Sequence, residues 1–219
     1  MKKINILVIA LIMLAFTSTS QAEMKYGVSA GLTKIQASGS EVEGGETNKT
    51  DVKNTVVIPS IFAEYKFSDS LSFGLDVIPM SADVRSSAVS ETKTETSVSG
   101  TVTTVATSRT QKAQAELSNH VTLYTNYTLT EGLYLKAGVA HVTVETNESL
   151  GTGSQYDDAD IYGGVIGFGT ESDNLRIELL YTDYEEISLN SKVARTDVTI
   201  NNKITADIDT LALKVGYVF

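Results

Sequence analysis

The chain of 219 residues contains no cysteine and no tryptophan. Without cysteine there is no disulfide framework, no thiolate metal site and no thiol nucleophile. Two histidines leave few ligands for a transition-metal centre. Pro59 and Pro79 are the only prolines, so strands can run with few interruptions to their hydrogen-bond ladders. Basic side chains are scarce, 17 Lys and Arg against 27 Asp and Glu. A chain so acidic has no basic face for phosphates, which excludes nucleic acid as a partner. Beyond Ala22 there is no apolar run long enough to cross a membrane as a helix.

What is present begins with a secretory signal peptide over 1–22. Lys2 and Lys3 form its basic start, Ile4 to Phe16 its apolar run, and Ser20-Gln21-Ala22 its cleavage site. The mature domain is expected over 23–219. The signal carries two lysines and no acids, so the remainder holds 15 basic against 27 acidic groups, a net charge of −12.

The end of the chain reads Leu211, Leu213, Val215, Tyr217 and Phe219 on one face of a strand and Thr210, Ala212, Lys214 and Gly216 on the other. Apolar residues toward lipid and small or polar ones toward a lumen are the pattern of a transmembrane β-strand. Seven further segments repeat it. The expected strands are Lys25–Ile35, Asn54–Phe67, Leu71–Ala82, Ala115–Leu129, Leu133–Glu145, Ala159–Thr170, a seventh from Leu175, and the last, ending on Phe219. Ser68-Asp69-Ser70 and Thr130-Glu131-Gly132 read as three-residue turns, and Glu171 to Asn174 as a four-residue turn. Pairing about Asp69 sets Tyr65 against Phe73 and Ile61 against Val77 with one apolar face throughout. It also sets Pro59 against Pro79, where a break or bulge is expected near the outer rim. The stretch Ser81 to Ala113 alternates Val and Thr with Ser and predicts a hairpin beyond the membrane. Short turns thus alternate with long polar loops, the asymmetry between the two sides of an outer-membrane barrel.

The C-terminal strand resembles that of bacterial outer-membrane barrels, in which a final Phe with an aromatic at the third-last position marks the chain for the insertion machinery. As architecture, the mature chain resembles the small barrels typified by outer-membrane protein X and the transmembrane domain of outer-membrane protein A. The resemblance implies an all-β fold, an eight-stranded antiparallel transmembrane barrel with short periplasmic turns and long extracellular hairpins, in the bacterial outer membrane. It also implies contact with outer-membrane lipid and lipopolysaccharide and with the barrel-insertion machinery. Tyr65, Phe67, Tyr127, Phe168, Tyr217 and Phe219 fall near the periplasmic strand ends and are expected to form an interface girdle, with Tyr181 and Tyr162 at the upper one.

The inward phase collects Glu64, Lys66, Asp76, Glu116, Lys136, Arg176, Glu178 and Lys214. Buried charge needs a partner, so these eight predict a charge network that plugs the narrow lumen. The registers set Gly74 against Glu64, Gly138 against Tyr124, Gly167 against Glu178 and Gly169 against Arg176.

Chemistry is sparse. Glu116, Ser118 and His120 share one strand face, yet a spacing of two residues separates neighbours by about 6.6 Å, too long for a relay. The glycine-rich Gly163 to Gly169 lacks the helix a nucleotide loop must open. Asp157, Asp158 and Asp160 read as a solvated acidic loop. No catalytic, cofactor or metal residue is assigned. The expectation is a non-enzymatic barrel with a structural or surface-interaction role, meeting a surface protein partner through its long loops. A narrow solute channel and a lipid-modifying hydrolase are the alternatives.

Overall fold

The computed structural model describes residues 23–43, 46–85, 89–93, 96–99, 102–105, 109–147, 155–192 and 203–219. The expected signal peptide lies outside these residues, as do Gly44-Gly45, Gly100, Gly151, Gly153 and Asn201-Asn202 of the expected long loops. In chain order the strands are β1 (Glu23–Glu43), β2 (Glu46–Lys66), β3 (Leu71–Val77), β4 (Ala82–Asp83), β5 (Val89–Lys93), β6 (Thr96–Ser99), β7 (Val102–Val105) and β8 (Arg109–Ala113). Then follow β9 (Ala115–Thr130), β10 (Leu133–Thr146), β11 (Ala159–Ser172), β12 (Leu175–Tyr184), β13 (Ile187–Asn190) and β14 (Lys203–Val218).

Eight antiparallel staves form a ring in the order β1-β2-β3-β9-β10-β11-β12-β14. Pairing of β1 with β14, from Gly27↔Val218 to Val42↔Lys203, closes it. β4 prolongs β3 along β9, and β13 prolongs β12 along β14. A closed ladder pairs wall amides with one another without water, the condition for strands in hydrocarbon. No helix among the described residues is long and apolar enough to cross a membrane. Leu123 is 64% exposed, Ile166 63% and Phe219 72%. An outer surface of large apolar side chains at such exposure is costly in water and favourable in lipid.

The expected registers hold on the first short turn, with Tyr65↔Phe73 and Ile61↔Val77, and on the second, with Leu135↔Tyr127 and Val139↔Leu123. On the third the register differs by two residues. Ser172 pairs with Leu175, so Gly169 faces Glu178, Gly167 faces Leu180, and Arg176 faces Glu171. Asp173 adopts a left-handed φ of 53°, which closes a two-residue turn in place of the expected four. Gly132, at φ 77°, closes Glu131-Gly132, with Thr130 paired to Leu133 where a three-residue turn was expected. The strands of the first outer hairpin run past their expected limits at Ile35 and Asn54. β1 and β2 stay paired from Glu23↔Lys66 to Glu43↔Glu46. The stretch from Ser81 to Ala113 carries two further antiparallel ladders, β5 with β8 and β6 with β7.

Two departures from regularity position the site. β3 stops at Val77, and its pairing with β2 stops with it, at Ile61. Pro79 lies in the interruption before β4, as its missing N–H dictates. Pro59 remains inside β2, paired with Ala30. The second departure is a bulge in β9. Between His141 and Thr143 the β9–β10 register shifts by one residue, and Asn119 takes a φ of 52°. Below the bulge Thr122, Tyr124 and Asn126 are buried; above it Leu117 is. The strand therefore changes inward phase, and Glu116 and Ser118 leave the lumen side.

Glycine lets the ring carry large inward groups. A Cβ on Gly74 would lie 2.1 Å from Cζ of Tyr124, whose hydroxyl donates to Glu64 at 3.2 Å. We expect Gly74→Val to cost about 1–3 kcal/mol, read as a lower urea midpoint of the protein refolded in lipid vesicles. Gly164→Ala, with nothing within 4 Å of its Cβ, should leave the midpoint unchanged.

Candidate functional site

The interior divides by height, and the division follows from the inward phase of each strand. In the periplasmic half this phase carries charge. Lys136 Nζ lies 2.5 Å from Glu178 Oε1, and Tyr134 donates to the same oxygen at 2.6 Å. Arg176 Nη1 reaches Glu64 Oε2 at 2.9 Å, while its Nε and Nη2 hold Glu171 Oε2 at 2.9 and 2.5 Å. Lys25 binds the other Glu171 oxygen at 2.7 Å. Ser72, Tyr124 and Asn126 also donate to Glu64. Lys214 bonds Asp76 at 2.7 Å and Ser60 at 2.9 Å. Lys136, Arg176, Glu178 and Glu64 are all less than a tenth exposed. Charges so deep survive only with this degree of compensation.

Of the eight expected lumen charges, the structure brings six into this layer: Glu64, Asp76, Lys136, Arg176, Glu178 and Lys214. Lys66 sits lower, at the periplasmic mouth, with Asp69 at 3.3 Å and Glu23 at 3.9 Å. Glu116 is a correction. The bulge at Asn119 turns it out of the lumen, where it accepts from Ser81 and Asn147. The expected pairing of Tyr124 with Gly138 holds, and Gly74 faces the same ring from the other side. Sequence reasoning missed Lys25, Glu171 and Tyr134, of which Tyr134 was findable, because it is in inward phase across from Gly169.

In the outer half the same phase turns apolar. Ile35, Val84, Leu117, Ala140, Val142, Val144, Ile161, Val165, Tyr184, Ile187 and Ile208 form one buried cluster. The outward face turns polar at that height, with Lys34 exposed on β1, Asp160 on β11 and Asp183 on β12. The barrel thus inverts along its axis. Where it is belted with Leu, Val and aromatics its core is ionic, and above the belt its core is hydrocarbon.

Between the two layers lies a chamber of about 80 Å³. Asp76, Lys214, Ser60, Tyr124 and Lys136 form its floor. Thr33, Thr122, Thr182 and Thr210 ring its wall, and Ile35, Leu117, Val165 and Tyr184 form its roof. Ile58, Ile78, Met80 and Ala82 also line it. These four flank the interruption where β2 has lost β3, and Met80 is half exposed. The chamber therefore borders the interruption in the wall. Asn54 Nδ2, donating to the Asp83 carbonyl at 2.9 Å, ties the two sides together above it.

The candidate catalytic groups are separated. Ser118 donates to Glu145, while His120 Nε2 meets the Tyr184 hydroxyl at 2.8 Å inside the barrel. The bulge has placed them on opposite faces. His141 lies 3.5 Å from Asp160, with its ring tilted 56° against that of Tyr162 at 5.1 Å, and Asp157 pairs with Lys192. No group of three or more His, Asp or Glu fit to hold a metal occurs among the described residues. Gly163 to Gly169 runs inside β11 as ordinary strand. Phe67, Tyr127, Phe168, Tyr217 and Phe219 are all more than half exposed, near the periplasmic ends of their strands. Tyr65 lies beside them, less exposed.

No protein-family model and no curated protein sequence matches the chain. Solved structures do. The outer membrane protein OprG of Pseudomonas aeruginosa is 14% identical with a TM-score of 0.53, over 89% of this chain and 95% of that one. The outer membrane protein AlkL, determined in lipid bilayers, is 17% identical with a TM-score of 0.51, over 90% of each chain. Ail, the attachment invasion locus protein of Yersinia pestis, is 13% identical with a TM-score of 0.44, over 90% of this chain and 99% of that one. At such identities the likeness to OprG and AlkL is one of fold: the chain has the fold of the small outer-membrane β-barrels.

The floor makes a sharp energetic prediction. Glu178→Gln leaves Lys136 buried without a counter-charge and should cost about 3–5 kcal/mol of unfolding free energy. Adding Lys136→Met should recover most of that loss, because the new amide still accepts from Tyr134. Equilibrium urea unfolding in lipid vesicles measures both.

Proposed function

We propose that this chain is a non-enzymatic barrel of the bacterial outer membrane, closed to ions along its axis and open to small apolar molecules through its side. The observation that supports this most directly is the interrupted pairing after Val77, which leaves a mouth at Ile58, Ile78 and Met80 above an ion-paired floor. A hydrated ion moving down the axis would have to displace Lys136, Glu178, Arg176 and Glu64 from one another, which is prohibitive for buried pairs. An apolar molecule at the mouth meets Met and Ile side chains and loses nothing on leaving water. Insertion would proceed through β14 and the Phe219 that follows it, whose ring meets that of Tyr217 edge to face at 5.3 Å. The aromatics at the periplasmic strand ends would sit in the lipid headgroups.

A surface-interaction role has its own support. Above Asn54, whose side chain closes the top of the mouth, the edge of β2 away from β1 holds no strand partner among the described residues. An unpaired extended edge outside the membrane can take a strand from a surface protein.

Two measurements test the principal reading. In planar bilayers the protein should show no sustained openings; steady conductance would overturn the sealed axis. The chain has no tryptophan, so Met80→Trp supplies a single reporter at the mouth. Its fluorescence should be quenched by lipids brominated in the acyl chain. Failure to quench would mean that the mouth does not face the bilayer.

A further inference from the structure

The chamber's walls are not uniformly apolar, and the departure has a pattern. Thr33, Thr122, Thr182 and Thr210 come from β1, β9, β12 and β14, and all four are 7–8% exposed. They line one cavity that ends below in Ser60, Asp76 and Lys214. The mouth, by contrast, is Ile58, Ile78, Met80 and Ala82. A molecule entering from the side therefore passes hydrocarbon first and hydroxyls last.

The charges beneath are already matched. Lys214 has Asp76 at 2.7 Å and Ser60 at 2.9 Å, Ser60 donates to Asp76 at 3.0 Å, and Lys136 has Glu178 at 2.5 Å. A ligand bringing its own charge would be an unpaired ion in a buried site, a cost of several kcal/mol. A hydroxyl brings one donor and two acceptor lone pairs, which threonine hydroxyls can meet in either sense. Size adds a further constraint. At about 80 Å³ the chamber is smaller than the roughly 150 Å³ cavity that encloses a benzene in another protein. It can take a head group, and the rest of the molecule has to trail out through the mouth toward lipid.

We propose that the chamber is a binding site for a small neutral amphiphile, an alcohol or phenol, held head-inward by the threonine ring with its apolar tail in the wall opening. The proposal rests on the side-opening reading above and adds the chemical class and orientation of the ligand.

Methyl-labelled protein in lipid nanodiscs tests it, with 1-hexanol, hexane and hexanoate as probes compared at equal membrane activity. The expected result is saturable shifts of the Thr33, Thr122, Thr182 and Thr210 methyl resonances with 1-hexanol, weaker shifts with hexane, and weaker or absent shifts with hexanoate. Thr122→Val and Thr210→Val should each weaken 1-hexanol binding about fivefold, the loss of one hydrogen bond of about 1 kcal/mol. Thr122→Ser and Thr210→Ser, which keep the hydroxyl, should restore it and separate recognition from mere packing. Equal saturation by hexane would overturn the head-group assignment while leaving an apolar side chamber intact. Tighter binding of hexanoate would overturn neutrality. If no probe shifts any chamber resonance, both this proposal and the side-opening reading fail.

Discussion

An amide group surrounded by hydrocarbon has only other amides to bond to. The seam between β1 and β14 answers that constraint, and the rest of the architecture depends on it. Once the ring is shut, every second side chain must point into a narrow space and every other one at the surroundings. The protein then needs two unrelated chemistries along each strand. It also needs glycines opposite tyrosines, since the space inside is too small for bulk on both sides, as Gly74 facing Tyr124 shows.

The reversal of polarity with height is the same rule meeting two solvents. Within the belt the solvent outside is apolar, so charge is kept inside and neutralised in pairs. Above it the solvent outside is water, and the wall behaves as an ordinary protein does, with Ile35, Val142 and Ile161 inward. The chamber exists because neither filling is complete where the two meet. A strand that ends at a proline there, and another that bulges, prevent the layers from closing on each other.

Much of this was legible in the sequence. Alternation found the eight staves, and the apolar faces of Tyr65 with Phe73 and of Leu135 with Tyr127 set two registers without ambiguity. The third register was misread by two residues, because Asp173 in a left-handed conformation leaves no mark that distinguishes it from any other polar turn residue. The break at Pro79 was foreseen from a missing donor, but what it opens was not, since a mouth requires knowing what stands behind it. Glu116 was misplaced for a related reason. A period of two carries no memory of an inserted residue, and Asn119 is an unremarked asparagine until its φ is known. The alternation was extrapolated through it, and everything beyond came out on the wrong face.

The first hairpin has a consequence of its own. Its two strands are 21 residues each, roughly 70 Å of contour at 3.3 Å per residue. That is more than twice the hydrocarbon thickness of about 30 Å, and even a steep tilt leaves a large part standing clear. To an antibody, a phage tail or a neighbouring cell, the protein begins as a sheet of paired strands well above the lipid, in which β14 flanks β1 up to Val42↔Lys203.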